Sequence, residues 1–294
     1  MYYVSSKNGD LYGITDTKDG VEEFYSADFV ISKLNRFKIK GVAGCRINIW
    51  NPEKEYLRDK LSGNCDFEVS FEGLKGIATC YIGDKSKVVV PDYISELGSC
   101  CFQDNDLIEE VILHDNIISL NDFCFYNCSN LKIINLPSSI KNIGISCFQY
   151  CRSLNRIKIP DKVAVLNINC FDNCCDLKEV ILSNSIKKLD DYCFFGCRSI
   201  KNIKLPDSLE YIGLECFYSC TKLESVSFSD SFKHLGVRCF NGCVSLKSVD
   251  FGKSLDDIGS KCFEFCRDLK VIKCYKYQKD MLEDYSSILK YKDV

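Results

Sequence analysis

The dipeptide Cys-Phe returns eight times at a constant interval of 23 residues. It stands at Cys101-Phe102, Cys124-Phe125, Cys147-Phe148, Cys170-Phe171, Cys193-Phe194, Cys216-Phe217, Cys239-Phe240 and Cys262-Phe263. A fixed period of this length, with no insertion, specifies a stacked array in which each unit contacts only its neighbours. Other columns keep the register. A second cysteine follows at Cys128, Cys151, Cys174, Cys197, Cys220, Cys243 and Cys266. A Leu or Ile comes three residues later, as at Leu131 and Leu154, and then an alternating apolar pair such as Ile134 and Leu136 or Ile157 and Ile159. Two more apolar columns run from Ile94 to Leu255 and from Leu97 to Ile258.

The period-2 alternation marks a short strand with one buried face. Pro91, Pro137, Pro160 and Pro206 follow these strands and lack the donor a continued ladder needs. The remaining half of each unit is expected to return through an irregular or short helical segment, its Phe plugging the interior. No single unit can bury its own apolar columns, so stability comes from stacking. Parallel strands at about 4.8 Å spacing give a sheet roughly 40 Å long over the eight units. The expected fold is a mostly β solenoid of 23-residue repeats with a parallel sheet on its concave face.

The pattern Ile-Gly-x-x-Cys-Phe-x-x-Cys-x-x-Leu-x-x-Ile-x-Ile-Pro resembles the BspA-like, or treponemal-type, leucine-rich repeats. That family commonly has Ala before the Phe, where this chain has Cys. The likeness covers roughly residues 85–274, and GIATCYIGDKSKVVVP (76–91) looks like the strand that leads into such arrays. The resemblance implies a right-handed, α/β-type leucine-rich repeat horseshoe. It also implies surface or secreted proteins that bind other proteins, some of them adhesins.

The chain has 21 cysteines, an odd total that no intramolecular disulfide scheme can pair completely. Their regular recurrence favours core columns, because core positions repeat and active sites do not. Cys124, Phe125, Cys128, Cys147, Phe148, Cys151, Cys170, Phe171, Cys193, Phe194, Cys216 and Phe217 are therefore assigned to the structural core. Pairing along a column under oxidation is a second reading, since rungs lie within disulfide reach. A zinc site is a third, but an even ladder gives an ion no reason to choose four ligands. With only His114 and His234 in the chain, neither a metal site nor a catalytic triad is indicated. No cofactor is expected.

Partner contact is expected on the outward strand positions. Ile112, Ile133, Asn135, Arg156, Lys158, Glu179, Ile181 and Lys204 form the candidate concave stripe. Apolar residues with charges beside them suit a protein or peptide partner. The scarcity of aromatics on that stripe counts against carbohydrate stacking there. A net charge of −3, from 38 basic and 41 acidic residues, gives no case for nucleic acid or an anionic membrane. No apolar run reaches signal-peptide or membrane-span length, so a cytoplasmic monomer or weak oligomer is expected, or a secreted chain if a leader was removed.

Residues 1–75 lack the period and read as a small α+β or β domain that could also cap the array. FKIKGV (37–42), CRINIW (45–50) and FEVSFEG (67–73) alternate as strands, Ser26 could cap a helix over Ala27–Leu34, and Trp50 is read as packed. Residues 76–274 are the solenoid. Residues 275–294 read as a helix or tail, with Met281, Tyr285, Ile288 and Leu289 on one helical face. Together these features predict a non-enzymatic interaction scaffold. A surface or secreted adhesin for host protein or glycan is the alternative, and an enzyme housed in 1–75 with the repeats as recognition arm is another.

Overall fold

A computed structural model describes residues 3–7, 11–15, 24–25, 45–47, 66–72, 75–92 and 94–293. The helix expected over Ala27–Leu34, the strand at 37–42 and Trp50 lie outside the described residues. The two other N-terminal strands are present as Cys45–Ile47 and Phe67–Glu72.

The repeat builds a leucine-rich repeat solenoid from two parallel ladders. In the first, three-residue strands stack rung on rung: Lys87–Val89 pairs with Glu110–Ile112, and Glu110–Ile112 with Ile133–Asn135. Arg156–Lys158 pairs with Glu179–Ile181 in the same register. Further along, Asn202 makes a single bridge to Ser225, and Ser225–Ser227, Ser248–Asp250 and Val271–Tyr275 continue the ladder. The middle residue of each strand is buried, as at Val111, Ile134 and Ile157. The prolines end these strands and are reused as turn acceptors: Ile140 N–H donates to Pro137 O, and Val163 N–H to Pro160 O.

The second ladder lies in the return half of each unit, where an irregular or short helical path was expected. Ile94–Leu97, Ser119–Leu120 and Asn142–Ile143 pair in parallel, and Val165–Leu166 through Asp257–Ile258 continue the arrangement. Its second residue is the apolar column from Leu97 to Ile258. Strands of two residues, such as Ser119–Leu120 and Val165–Leu166, are long enough to bury one side chain each and too short to carry a period-2 signal of their own. Gly144, Gly213 and Gly236 follow this ladder. A Cβ on Gly236 would stand 2.3 Å from the backbone of Gly213, so successive rungs come too close there for any side chain.

The Cys-Phe segment is a run of turns held by a further rung-to-rung ladder. Phe123, Phe125 and Asn127 donate to Ile145, Cys147 and Gln149 of the next unit at 2.7–2.8 Å, while the residues between them donate within their own unit. This alternation requires a left-handed backbone on either side of the Cys-Phe pair. Phe123 and Asn127 have φ of 57° and 55°, Ser146 and Tyr150 52° and 62°, and the pattern recurs along the array. Each such L-residue carries a strain of about 1–2 kcal/mol, offset by satisfying buried backbone donors.

The core is columnar. Phe125, Phe148, Phe171 and Phe194 stack at 5.3–5.4 Å with planes within 6° of parallel. At one end Tyr81 stacks on Phe102 at 5.1 Å and Phe67 meets Phe102 edge-on. At the other, Tyr285 meets Phe263 edge-on at 5.3 Å. Edge-to-face contact suits the terminal rings, whose outer faces have no further repeat to stack on.

The strand Phe67–Glu72 pairs antiparallel with Lys75–Tyr81, and that strand pairs in parallel with Ile94–Leu97, so one sheet runs from the N-terminal region into the second ladder. At the far end the chain differs from a single helix. Lys276–Gln278 and Asp280–Ile288 are 3-10 turns with Leu282 buried, and Leu289 opens a strand, Leu289–Lys292, that pairs with Val271–Tyr275. Leu282 breaks helical geometry with φ −114° and ψ 19°, which takes Leu289 off the face shared by Met281 and Tyr285.

Candidate functional site

The three-residue strands put two outward side chains on every rung, and their register fixes which residues meet. Ile112 lies beside Val89 on one rung and Asn135 on the next, and Ile133 lies beside Glu110, diagonal to Ile112. Val89 is 62%, Ile112 38% and Ile133 51% exposed. Diagonal neighbours on one sheet face are within reach of branched side chains, so these three make one apolar patch. Leu113 and Leu136 are half-buried beneath it. Isolated exposed apolar residues are ordinary, but contiguous ones mark a surface.

Two of the charged members of the stripe, Arg156 and Glu179, pair with each other. Arg156 Nε lies 3.2 Å from Glu179 Oε2 on the adjacent rung. Lys87 Nζ lies 2.9 Å from Glu110 Oε2 beside the patch. Such exposed pairs contribute about 0–1 kcal/mol to stability and form a polar rim. Lys158, opposite the half-buried Ile181, and Lys204 are exposed. Lys204 belongs to the rung that makes only the Asn202 bridge, so the ladder is thinnest there. The patch therefore gathers Ile112 and Ile133 with Val89, while Ile181 sits two rungs beyond Ile133 and less exposed.

The cysteine columns point away from this surface. Cys124, Cys147, Cys170, Cys193 and Cys216 are fully buried, as are Cys128, Cys151, Cys174, Cys197 and Cys220 and the Phe column beside them. The described cysteines form no disulfide. The two columns differ in role. The second cysteine of each unit donates its thiol hydrogen to the carbonyl of the Phe 26 residues upstream: Cys128 to Phe102 at 3.0 Å, and Cys151 to Phe125 and Cys174 to Phe148 at 3.1 Å. Burial pushes the thiols of Cys151 and Cys174 well up, and that of Cys128 up to about 12. They remain neutral donors at physiological pH. Among the described residues no group of His, Cys, Asp or Glu is placed to hold a metal, and no helix is long and apolar enough to cross a membrane.

A second surface went unread in the sequence. Two and three residues after the first cysteine, several units carry rings: Tyr126 and Tyr150 meet edge-on at 5.6 Å, and Phe195 stacks on Tyr218 at 4.9 Å. The signal lies in the aligned columns, but the buried Cys-Phe pair in the same segment marks it as interior and masks the rings beside it.

Two parallel ladders at a 23-residue period, with a continuous Phe and Cys interior, define a leucine-rich repeat solenoid. The BspA type leucine rich repeat region matches residues 79–201 and 188–286, and the chain belongs to that family. No match was found among curated proteins. Among solved structures, the Treponema pallidum leucine rich repeat protein is similar, with TM-score 0.52 and 21% identity over 78% of this chain and 97% of that one. The pneumococcal vaccine antigen PcpA has TM-score 0.50 and 19% identity over 72% of this chain and 69% of its own. A leucine rich cell surface protein of Faecalibacterium prausnitzii has TM-score 0.38 and 17% identity over 78% and 94%. Solenoids of this family are generally non-catalytic scaffolds of the kind found in protein-binding and adhesive proteins.

These comparisons correct the cytoplasmic expectation. The fold is shared with a vaccine antigen, and the comparisons do not support a cytoplasmic assignment. The physical reason is that the repeat fold and its packing are the same whichever compartment displays them, so the first residues of the sequence do not decide it.

Proposed function

We propose that the chain is the recognition part of a cell-surface or secreted adhesive protein, binding a protein partner through the three-residue strand face. The observation that carries this is the registered apolar patch of Val89, Ile112 and Ile133 between the Lys87–Glu110 and Arg156–Glu179 ion pairs. An apolar centre with a polar rim is the anatomy of a protein interface. The rigid ladder beneath it keeps the ordering cost of binding low. The paired rim charges favour specificity and orientation over raw affinity.

Two measurements test the reading. Labelling of intact cells with a membrane-impermeant amine reagent should modify the chain; labelling only after lysis would remove the surface assignment. Hydrogen exchange on the purified chain bound to immobilised extracellular matrix protein should protect the amides of residues 110–112 and 133–135. Protection confined to other rungs would remove the face assignment.

A further inference from the structure

The face that carries the Cys-Phe turns has its own cavity of about 340 Å³, a size suited to a small ligand. Three rings line it: Phe195, Tyr218 and Phe265. Phe195 and Tyr218 stack with planes 5° apart, in the column two residues after the first cysteine. On the next rung that column changes to Asn241, which is buried and donates its amide to Glu264 Oε2 at 3.0 Å. The ring column stops there, and the cavity opens beside Tyr218, with Phe265, 63% exposed, on the rung beyond.

The polar lining is held in place by the fold. Glu215 and Arg238 occupy the left-handed position before the first cysteine, with φ of 49° and 53°. Their N–H groups donate to Val237 and Ser260 of the following units at 2.9 and 3.0 Å, which fixes where their side chains leave the backbone. Arg238 Nη1 meets Glu215 Oε1 at 3.4 Å. These contacts engage one oxygen of Glu215 and one of Glu264. The cavity thus combines two carboxylates, a guanidinium and aromatic faces. A cationic ligand would meet Arg238, and an anionic one would meet Glu215 and Glu264. A neutral polyol matches all three, because each hydroxyl both donates and accepts.

We infer that this cavity is a subsite for a neutral sugar ring, its C–H face against the aromatic side chains and its hydroxyls on Glu215, Arg238 and Glu264. The subsite lies on the turn face and is independent of the strand-face proposal. The test is saturation-transfer NMR on the full chain, with methyl α-mannopyranoside and N-acetyllactosamine as neutral probes, a heparin disaccharide as the anionic probe and a Lys-Arg peptide as the cationic one. Two variants borrow residues that other repeats carry at the same positions, which preserves the fold. Phe265→Asn follows Asn127 and Tyr218→Gln follows Gln149. The expected result is saturation of a neutral probe, weakened about tenfold or more in each variant, equivalent to about 1.4 kcal/mol. The proposal is overturned if neither neutral probe binds, if both variants bind as the parent does, or if only a charged probe is saturated.

Discussion

The thiol of Cys151 donates a hydrogen bond to the carbonyl oxygen of Phe125 at 3.1 Å, reaching back one full unit of the solenoid. The same carbonyl accepts from Cys128 N–H at 3.1 Å, so it joins its own turn to the next. The second cysteine column is therefore a donor ladder as well as a filler of the core. Replacing Cys151 by Val keeps apolar bulk and removes the donor; replacing it by Ala removes both. A net hydrogen bond contributes about 0.5–1.5 kcal/mol. Cys151→Val should lower stability by about that amount and Cys151→Ala by more, read from urea unfolding. A Val variant as stable as the parent would reduce the column to packing alone.

The Phe column distributes its energy unevenly. Phe148 is fully buried with a parallel ring on each side. Phe148→Ala should cost about 3–5 kcal/mol, the usual range for a fully buried ring. Tyr285 meets only the last ring and is half-buried. Tyr285→Ala should cost less globally, and hydrogen exchange should rise first in the strands Ser248–Asp250 and Val271–Tyr275. Uniform loosening of the whole array by Tyr285→Ala would contradict its role as a terminal cap.

Asp172 gives the array a pH dependence. Burial pushes its carboxyl up to about 6, against the opposing hydrogen bonds from Gln149 and Asn173. The unfolded chain deprotonates near the ordinary value of 3.8. Between about 4 and about 6 the native state holds the proton and the unfolded state does not, so stability falls as pH rises through this window. The full effect is on the order of 3 kcal/mol at most. Asp172→Asn should flatten that part of the stability–pH curve and stabilise the chain at pH 7. An unchanged slope would show that Asp172 ionises normally in the fold.

Thiol chemistry offers a further check. The thiolate is the reactive form, and burial disfavours it. Among the described cysteines of the native protein, mapped alkylation should modify exposed Cys100 first and half-buried Cys175 next. Cys124, Cys151, Cys170 and Cys174, whose thiols burial pushes well up, should react only on denaturation. Rapid native labelling of the inner columns would contradict the closed core.

What could be read from the sequence follows from what repetition encodes. Columns such as Leu97 to Ile258 and Phe102 to Phe263 are visible because stacking forces every unit to answer the same packing demand. The strand ending at each proline was visible for the same reason. The second ladder was not, because strands of two residues, such as Val165–Leu166, are too short to alternate. The thiol donors were hidden because Cys reads equally well as a small apolar filler. At the surface, Ile112 and Ile133 stood out as apolar residues at outward positions. The pairing of Arg156 with Glu179 needed the register, and the ring cluster at Phe195, Tyr218 and Phe265 needed the turn face to be recognised as outside.

The apolar patch on the strand face is the central claim, and equilibrium binding to immobilised extracellular matrix protein tests it most directly. The comparison is the parent chain against Ile112→Asp and Ile133→Asp, with Lys204→Ala as a control from the same stripe. A buried apolar anchor contributes about 2 kcal/mol or more. The account predicts saturable binding by the parent, a loss of about tenfold or more in each Asp variant, and little change for Lys204→Ala. Binding that survives both Asp substitutions, or a parent chain that shows no saturable binding, would contradict it.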